Sequence, residues 1–196
     1  METKRIVFVG VGGQGNLLVT RLLGEACLAA GIPAVVSEIH GMAQRGGIVE
    51  SALVMGARSP IVSKGEADIL IGFEPSETLR ALNKCNENTV VITNIHPLPP
   101  FTVAIGQGVY PDIEEALDLI KNRVRSLIVL DGNELAAKAG NPLSLNMVML
   151  GALVGSKIIP LDEDTLKETI ANSTKQEYLE ANLKAFDFGA AAARKG

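Results

Sequence analysis

The chain alternates short, nearly unbroken apolar runs with longer stretches in which apolar residues recur every three or four positions. Residues 5–9, 34–36, 69–73, 90–93 and 127–130 are runs of the first kind, the pattern of parallel strands covered on both faces. Residues 17–30 show the second pattern. Val19, Leu22, Leu23, Ala26, Cys27 and Ala30 fall on one helical face, and Arg21 and Glu25 fall on the other. A further strand is predicted over 48–55, reached from the second run without an intervening helix, which implies an antiparallel or hairpin element. Helix starts are marked by acid-led capping patterns at Asp112 with Glu115 and Asp131 with Glu134, by Thr174 with Glu177, and by the acidic run Asp162, Glu163 and Asp164. Residues 145–156 form a helix that is apolar nearly all round, with Gly151 and Gly155 one turn apart. Such a helix must be covered on most faces. It is either a core helix or, in part, a face that a partner covers, and the second reading predicts self-association of the isolated chain. The pattern as a whole predicts an α/β fold: a Rossmann-like, doubly wound, mostly parallel sheet with helices on both faces, in a single domain spanning 1–196.

Composition narrows the chemistry. The 196 residues carry 18 basic and 22 acidic side chains, only 4% aromatics and no Trp, which removes the basic stripe and stacking platform of a nucleic-acid binder. Two cysteines, Cys27 and Cys85, are too few for a cluster of four thiolates or a disulfide framework. The apolar run after Lys4 and Arg5 is interrupted by Gln14, Asn16, Arg21 and Glu25 before a signal-peptide core is complete. The longest later apolar stretch is about half of the roughly 20 residues that a membrane span needs. The expectation is a soluble, cytoplasmic protein without a nucleic-acid or membrane partner.

Two polar clusters stand where an α/β sheet builds its sites. Gly10-Val11-Gly12-Gly13-Gln14-Gly15 lies between the first strand and the first helix. Glycines there allow a tight turn and bring backbone amides to a positive helix end. Glu38 follows at about the roughly 20-residue distance of a ribose-binding acid. One reading is a dinucleotide fingerprint, and the other is a sharp strand-to-helix turn with close packing. The second cluster, Ser37-Glu38-Ile39-His40-Gly41-Met42-Ala43-Gln44-Arg45-Gly46-Gly47, reads as a loop after the second strand. Glu38, His40, Gln44 and Arg45 belong at a surface or interface, because burying them unpaired is costly. They are either solvated loop residues or ligands of a partner. Asn146 opens the apolar helix. No Ser-His-acid set, metal spacing or P-loop lysine can be assembled, so no catalytic residue is assigned.

These motifs, with Ala67-Asp68 before a strand that ends in Phe73-Glu74-Pro75 and with Asn146-Met147-Val148-Met149-Leu150-Gly151, resemble the gamma subunit or domain of 2-oxoacid:ferredoxin oxidoreductases, and within them the small subunit of the indolepyruvate enzymes. The resemblance covers residues 4–188. It implies an accessory subunit that binds no cofactor firmly. Thiamine diphosphate and the iron-sulfur clusters would be carried by a large partner subunit, with coenzyme A as cosubstrate and ferredoxin as electron acceptor. Gly10, Gly12, Gly13, Gln14, Gly15, Glu38, His40, Gln44, Arg45, Gly46, Gly47 and Asn146 would then contact the partner or coenzyme A. The rival reading is a stand-alone NAD(P)- or flavin-dependent reductase using the glycine loop, and a third is a free-standing nucleotide sensor.

Overall fold

The structure is a computed structural model that describes residues 2–40, 47–99, 103, 105–106 and 108–194, except for the side chain of His40. Six strands form one sheet: β1 (Lys4–Val11), β2 (Ala34–His40), β3 (Ile48–Met55), β4 (Ile69–Gly72), β5 (Val90–Asn94) and β6 (Ser126–Leu130). Their order is β2-β3-β1-β4-β5-β6. β1, β4, β5 and β6 pair in parallel. β3 pairs antiparallel to both of its neighbours, and so interrupts the parallel order as its helix-free connection predicts.

Seven α-helices accompany the sheet among the described residues: α1 (Asn16–Ala29), α2 (Pro75–Arg80), α3 (Ile113–Lys121), α4 (Gly132–Lys138), α5 (Leu145–Gly155), α6 (Glu163–Ser173) and α7 (Gln176–Ala193). Successive side chains of a strand point to opposite faces, and β1 shows this plainly. Ile6 and Phe8 enter the larger core with residues of α1, α4, α5, α6 and α7. Val7 and Val9 enter the smaller one with Ala81, Leu82 and Ile120. No described helix is long and apolar enough to cross a membrane.

Four expectations need correction. First, residues 37–40 are not loop. Ser37 to His40 pair in register with Ala52 to Val49, so β3 draws them into β2. Second, β2 is not a strand covered on both sides. It is the last strand of the sheet, separated from β1 by β3, and Val36 and Ile39 are exposed. Third, Thr174 does not cap α7. Its backbone is extended, and the position before α7 is Lys175, which makes no side-chain capping bond. The acid-led starts do form, with Asp112, Asp131 and Asp162 each accepting from the backbone amide three residues on.

The fourth correction concerns the apolar body of α5, which is no interaction face: Met147 to Gly155 are buried within the chain. The cover comes from α7, and glycines bring the two backbones into contact. A Cβ on Gly151 would stand 2.0 Å from the Phe186 carbonyl oxygen, and one on Gly155 would stand 2.5 Å from that of Ala190. Gly189 of α7 returns the contact, since a Cβ there would fall on the Val148 carbonyl oxygen.

Candidate functional site

The turn after β1 is closed by a side chain. Gln14 accepts a hydrogen bond from the Val11 amide at 2.7 Å and donates from Nε2 to the Phe73 carbonyl at 3.0 Å, joining the ends of β1 and β4. Gly10 is required by this arrangement, because a Cβ there would lie 2.7 Å from Gln14 Oε1 and 2.9 Å from Phe73 Cβ. Gly13 and Gly15 have φ of 105° and 86°, backbone that side chains rarely adopt. Gly12 donates to the Gly47 carbonyl at 2.9 Å, so one bond ties the glycine loop to the end of the second sequence cluster. Beneath the loop Asn16 is buried. Its Nδ2 reaches the Val49 carbonyl at 3.4 Å, and its Oδ1 has no partner among the described residues.

Beside this turn opens a crevice of about 340 Å³, lined in part by Gly13, Gln14, His96, Asn133 and Asn146. It lies at the carboxyl ends of β1, β5 and β6, where open α/β sheets place their ligands. Its polar lining is held from behind by Asn94, whose Oδ1 accepts from the Gly132 amide at 2.9 Å. Asn94 Nδ2 donates to Phe73 O and to Asn133 Oδ1.

Gly13, Gln14, Gly15 and Asn146 therefore come together, and Gly10, Gly12 and Gly47 support them. Glu38 does not join them. It lines an open groove of about 640 Å³ between α1 and β2, with Leu18, Arg21, Leu28 and Val36. His40 closes β2 opposite Val49. Gln44, Arg45 and Gly46 lie outside the described residues.

Sequence reasoning passed over Asn94, His96 and Asn133. The available signal was a polar residue at each strand's carboxyl end. It also passed over Glu74, which is fully buried and accepts from Ser76 Oγ at 2.7 Å, from the Glu77 amide at 2.9 Å, from the Leu98 amide at 3.3 Å and from the Tyr110 hydroxyl. Burial, and then the Glu74 hydrogen bond and charge, push the Tyr110 phenol above its ordinary range. The neighbouring Glu77 carboxyl is raised by burial against the opposing pull of Arg80, with Glu74 adding to the rise. Glu74 thus pins the segment that follows β5 to the end of β4.

Residues 5–192 match the family model described as pyruvate ferredoxin/flavodoxin oxidoreductase. The chain belongs to this family. Within it, the chain is similar to the indolepyruvate oxidoreductase subunit IorB of Methanothermobacter thermautotrophicus, with 40% identity over 95% of this chain and 97% of that relative. The IorB subunit of Pyrococcus horikoshii is 38% identical over 100% of this chain and 98% of its own length. Among solved structures, the gamma subunit of a keto/oxoacid ferredoxin oxidoreductase from Geobacter sulfurreducens shares the fold with a TM-score of 0.72 at 21% identity, over 98% of this chain and 99% of that one.

For this family member the geometry disfavours a dinucleotide. Gln14 takes up the amide of Val11 inside the glycine turn, and the Glu38 that would hold a ribose stands beyond β3. The two thiols are also kept apart: Cys27 lies in the larger core and Cys85 packs against the smaller, on opposite faces of the sheet.

Proposed function

We propose that this chain is the accessory small subunit of a 2-oxoacid:ferredoxin oxidoreductase acting on indolepyruvate or a related aryl 2-oxoacid. In this reading the large partner subunit carries thiamine diphosphate and the iron-sulfur clusters. Electrons pass to ferredoxin, the acyl group passes to coenzyme A, and the assembly is cytoplasmic. The observation that carries the proposal is the 40% identity with an indolepyruvate oxidoreductase subunit over 95% of the chain.

The surface supports a docking role. Leu18, Leu28, Val36 and Ile39 leave apolar area exposed along α1 and β2, and β2 ends the sheet with its outer main-chain groups unpaired by any described strand. Glu38 belongs to this face. The glycine turn, Gly47 and Asn146 form a second contact region toward the partner or coenzyme A. Arg45, which lies outside the described residues and is flanked in the sequence by Gly46 and Gly47, is assigned to the same role, because its planar fork suits a phosphate or carboxylate.

The test is reconstitution under anaerobic conditions with indolepyruvate, coenzyme A and a viologen dye. The chain alone should be silent, and addition of the large subunit should restore turnover. Turnover by the chain alone contradicts the proposal. In the reconstituted complex Arg45→Lys should lower activity at least tenfold while the exposed Arg58→Lys does not.

A further inference from the structure

The hydrogen bonds of β3 decide which main-chain groups of β2 face outward. β2 and β3 are antiparallel, in a register that pairs Ala34 with Met55 and so sets Pro33 opposite Gly56. The Gly56 amide donates to the Pro33 carbonyl at 2.8 Å. Bonded and non-bonded pairs alternate along an antiparallel ladder. Val35, Ser37 and Ile39 therefore turn their main-chain groups to β3, and Ala34, Val36 and Glu38 turn theirs away from it. The other side of β3 agrees. The Gly12 amide bonds the Gly47 carbonyl at 2.9 Å, so Val49, Ser51 and Leu53 serve β1, and Glu50, Ala52 and Val54 remain for β2. Because β2 ends the sheet, the outward groups of Ala34, Val36 and Glu38 meet no described strand.

The side chains of these three residues share one face of β2 and line the groove against α1, where Leu18, Arg21 and Leu28 form the opposite wall. Unpaired donors and acceptors at every second residue, beside a trough for alternate side chains, match an extended backbone. A helix spends its main-chain bonds internally and cannot meet them. The edge also lacks the devices that keep edges unpaired, since β2 holds no Pro or Lys and its register with β3 runs without a bulge. Charge then selects among extended occupants. Glu38 is the one charged residue of the three, and the groove's own cation, Arg21, is committed to Glu25 at 3.3 Å. The β2 of a second copy has no Lys or Arg to set against Glu38.

We infer that an extended segment of the large partner subunit adds to β2 as a seventh strand. Its main chain bonds the outward groups of Ala34, Val36 and Glu38, its alternate apolar side chains fill the groove between Val36 and Leu28, and a basic side chain lies beside Glu38. The inference rests on the accessory-subunit reading and names the form and charge of the segment that docks.

The experiment compares amide exchange, resolved to single residues, in the full chain alone and in the complex reconstituted with the large subunit. Assembly should slow the Val36 and Glu38 amides at least tenfold, with a smaller change at Ser37 and Ile39, which β3 already holds. Val36→Pro removes an outward donor and leaves the β3 ladder intact, a place where an edge strand accepts proline. It should weaken binding to the large subunit at least tenfold. Glu38→Lys should weaken binding at least fivefold and Glu38→Gln by less, and these two exposed substitutions keep the test open should Val36→Pro unfold the chain. Failure of the parent chain to bind the large subunit would remove the accessory-subunit reading and this inference with it. A parent that binds while Val36 and Glu38 exchange as in the free chain, or a folded Val36→Pro or Glu38→Lys that binds as tightly as the parent, would spare the accessory-subunit reading and overturn the added strand. Slowed exchange of both amides in the concentrated chain alone, with sedimentation showing a dimer, would give the edge to a second copy and overturn it as well.

Discussion

α1 and α5 pose the same problem to the fold and meet opposite fates. Both are apolar helices packed on the larger core. α5 is buried along its whole length, because α7 lies across it at backbone contact. α1 buries Val19, Leu22, Leu23, Ala26 and Cys27 against the sheet but leaves Leu28 81% exposed, beside a groove that opens to β2. The contrast teaches that apolarity along a helix states how much cover is needed and is silent on who provides it. The more hydrophobic helix is satisfied within the chain, and the less hydrophobic one borders an open groove with exposed apolar residues.

Substitutions can break this contrast. The largest effect should come from Gly151→Val. Its Cβ would fall on the Phe186 carbonyl, so the two helices must separate and urea denaturation should show a loss of about 3 kcal/mol or more. A loss below about 1 kcal/mol would mean that α5 and α7 are not locked as described.

A second test uses pH on the buried face of α1. Burial pushes the Cys27 thiol up from 9.0 to about 11. The folded chain therefore holds this proton more tightly than the unfolded chain does. Its contribution is fully present below about pH 9 and is lost as pH rises towards 11, at up to about 1.4 kcal/mol per pH unit. Cys27→Ala should flatten the decline measured by denaturation between those values, and an unchanged slope would count against a buried thiol.

Smaller again is Thr20→Val. Thr20 hydrogen-bonds the Asn16 carbonyl at 2.9 Å and Ser51 Oγ at 2.7 Å. Its loss leaves Ser51 short of a partner and should cost about 1 to 2 kcal/mol in the same assay. The smallest effect on the isolated chain is expected for Leu28→Glu, within about 0.5 kcal/mol of the parent because the side chain already faces water. If a partner covers the groove, this variant should nevertheless fail to assemble in a pull-down with the large subunit. Normal assembly would move the docking face elsewhere.

Much of the fold is legible in the sequence, because continuous β-branched runs and acid-led caps report local physics. β3 is predicted over its full observed length, and Asp112, Asp131 and Asp162 cap the helices that follow them. What escapes is non-local. Nothing in Ser37-Glu38-Ile39-His40 announces that β3 will pair with it and place Glu38 two strands from the glycine turn. The cover over α5 likewise depends on Gly189, far along the chain. At the crevice, Gly13, Gln14 and Asn146 stand out by local context. Asn94 and Glu74 do not, because their importance lies in bonds to residues brought near only by the fold.

The glycine contact between α5 and α7 also orders events during synthesis. α5 leaves the ribosome well before the 176–193 segment that covers it. At roughly 5 to 20 residues per second, the most apolar helix of the chain waits on the order of seconds for its lid. During that interval the nascent chain offers a sticky helix that the finished protein never shows. A chain stopped at Ser173 should therefore bind a hydrophobic dye and engage chaperones, whereas the full chain, once released, should not. On this reading the 176–193 helix acts as a folding checkpoint for the helix it covers.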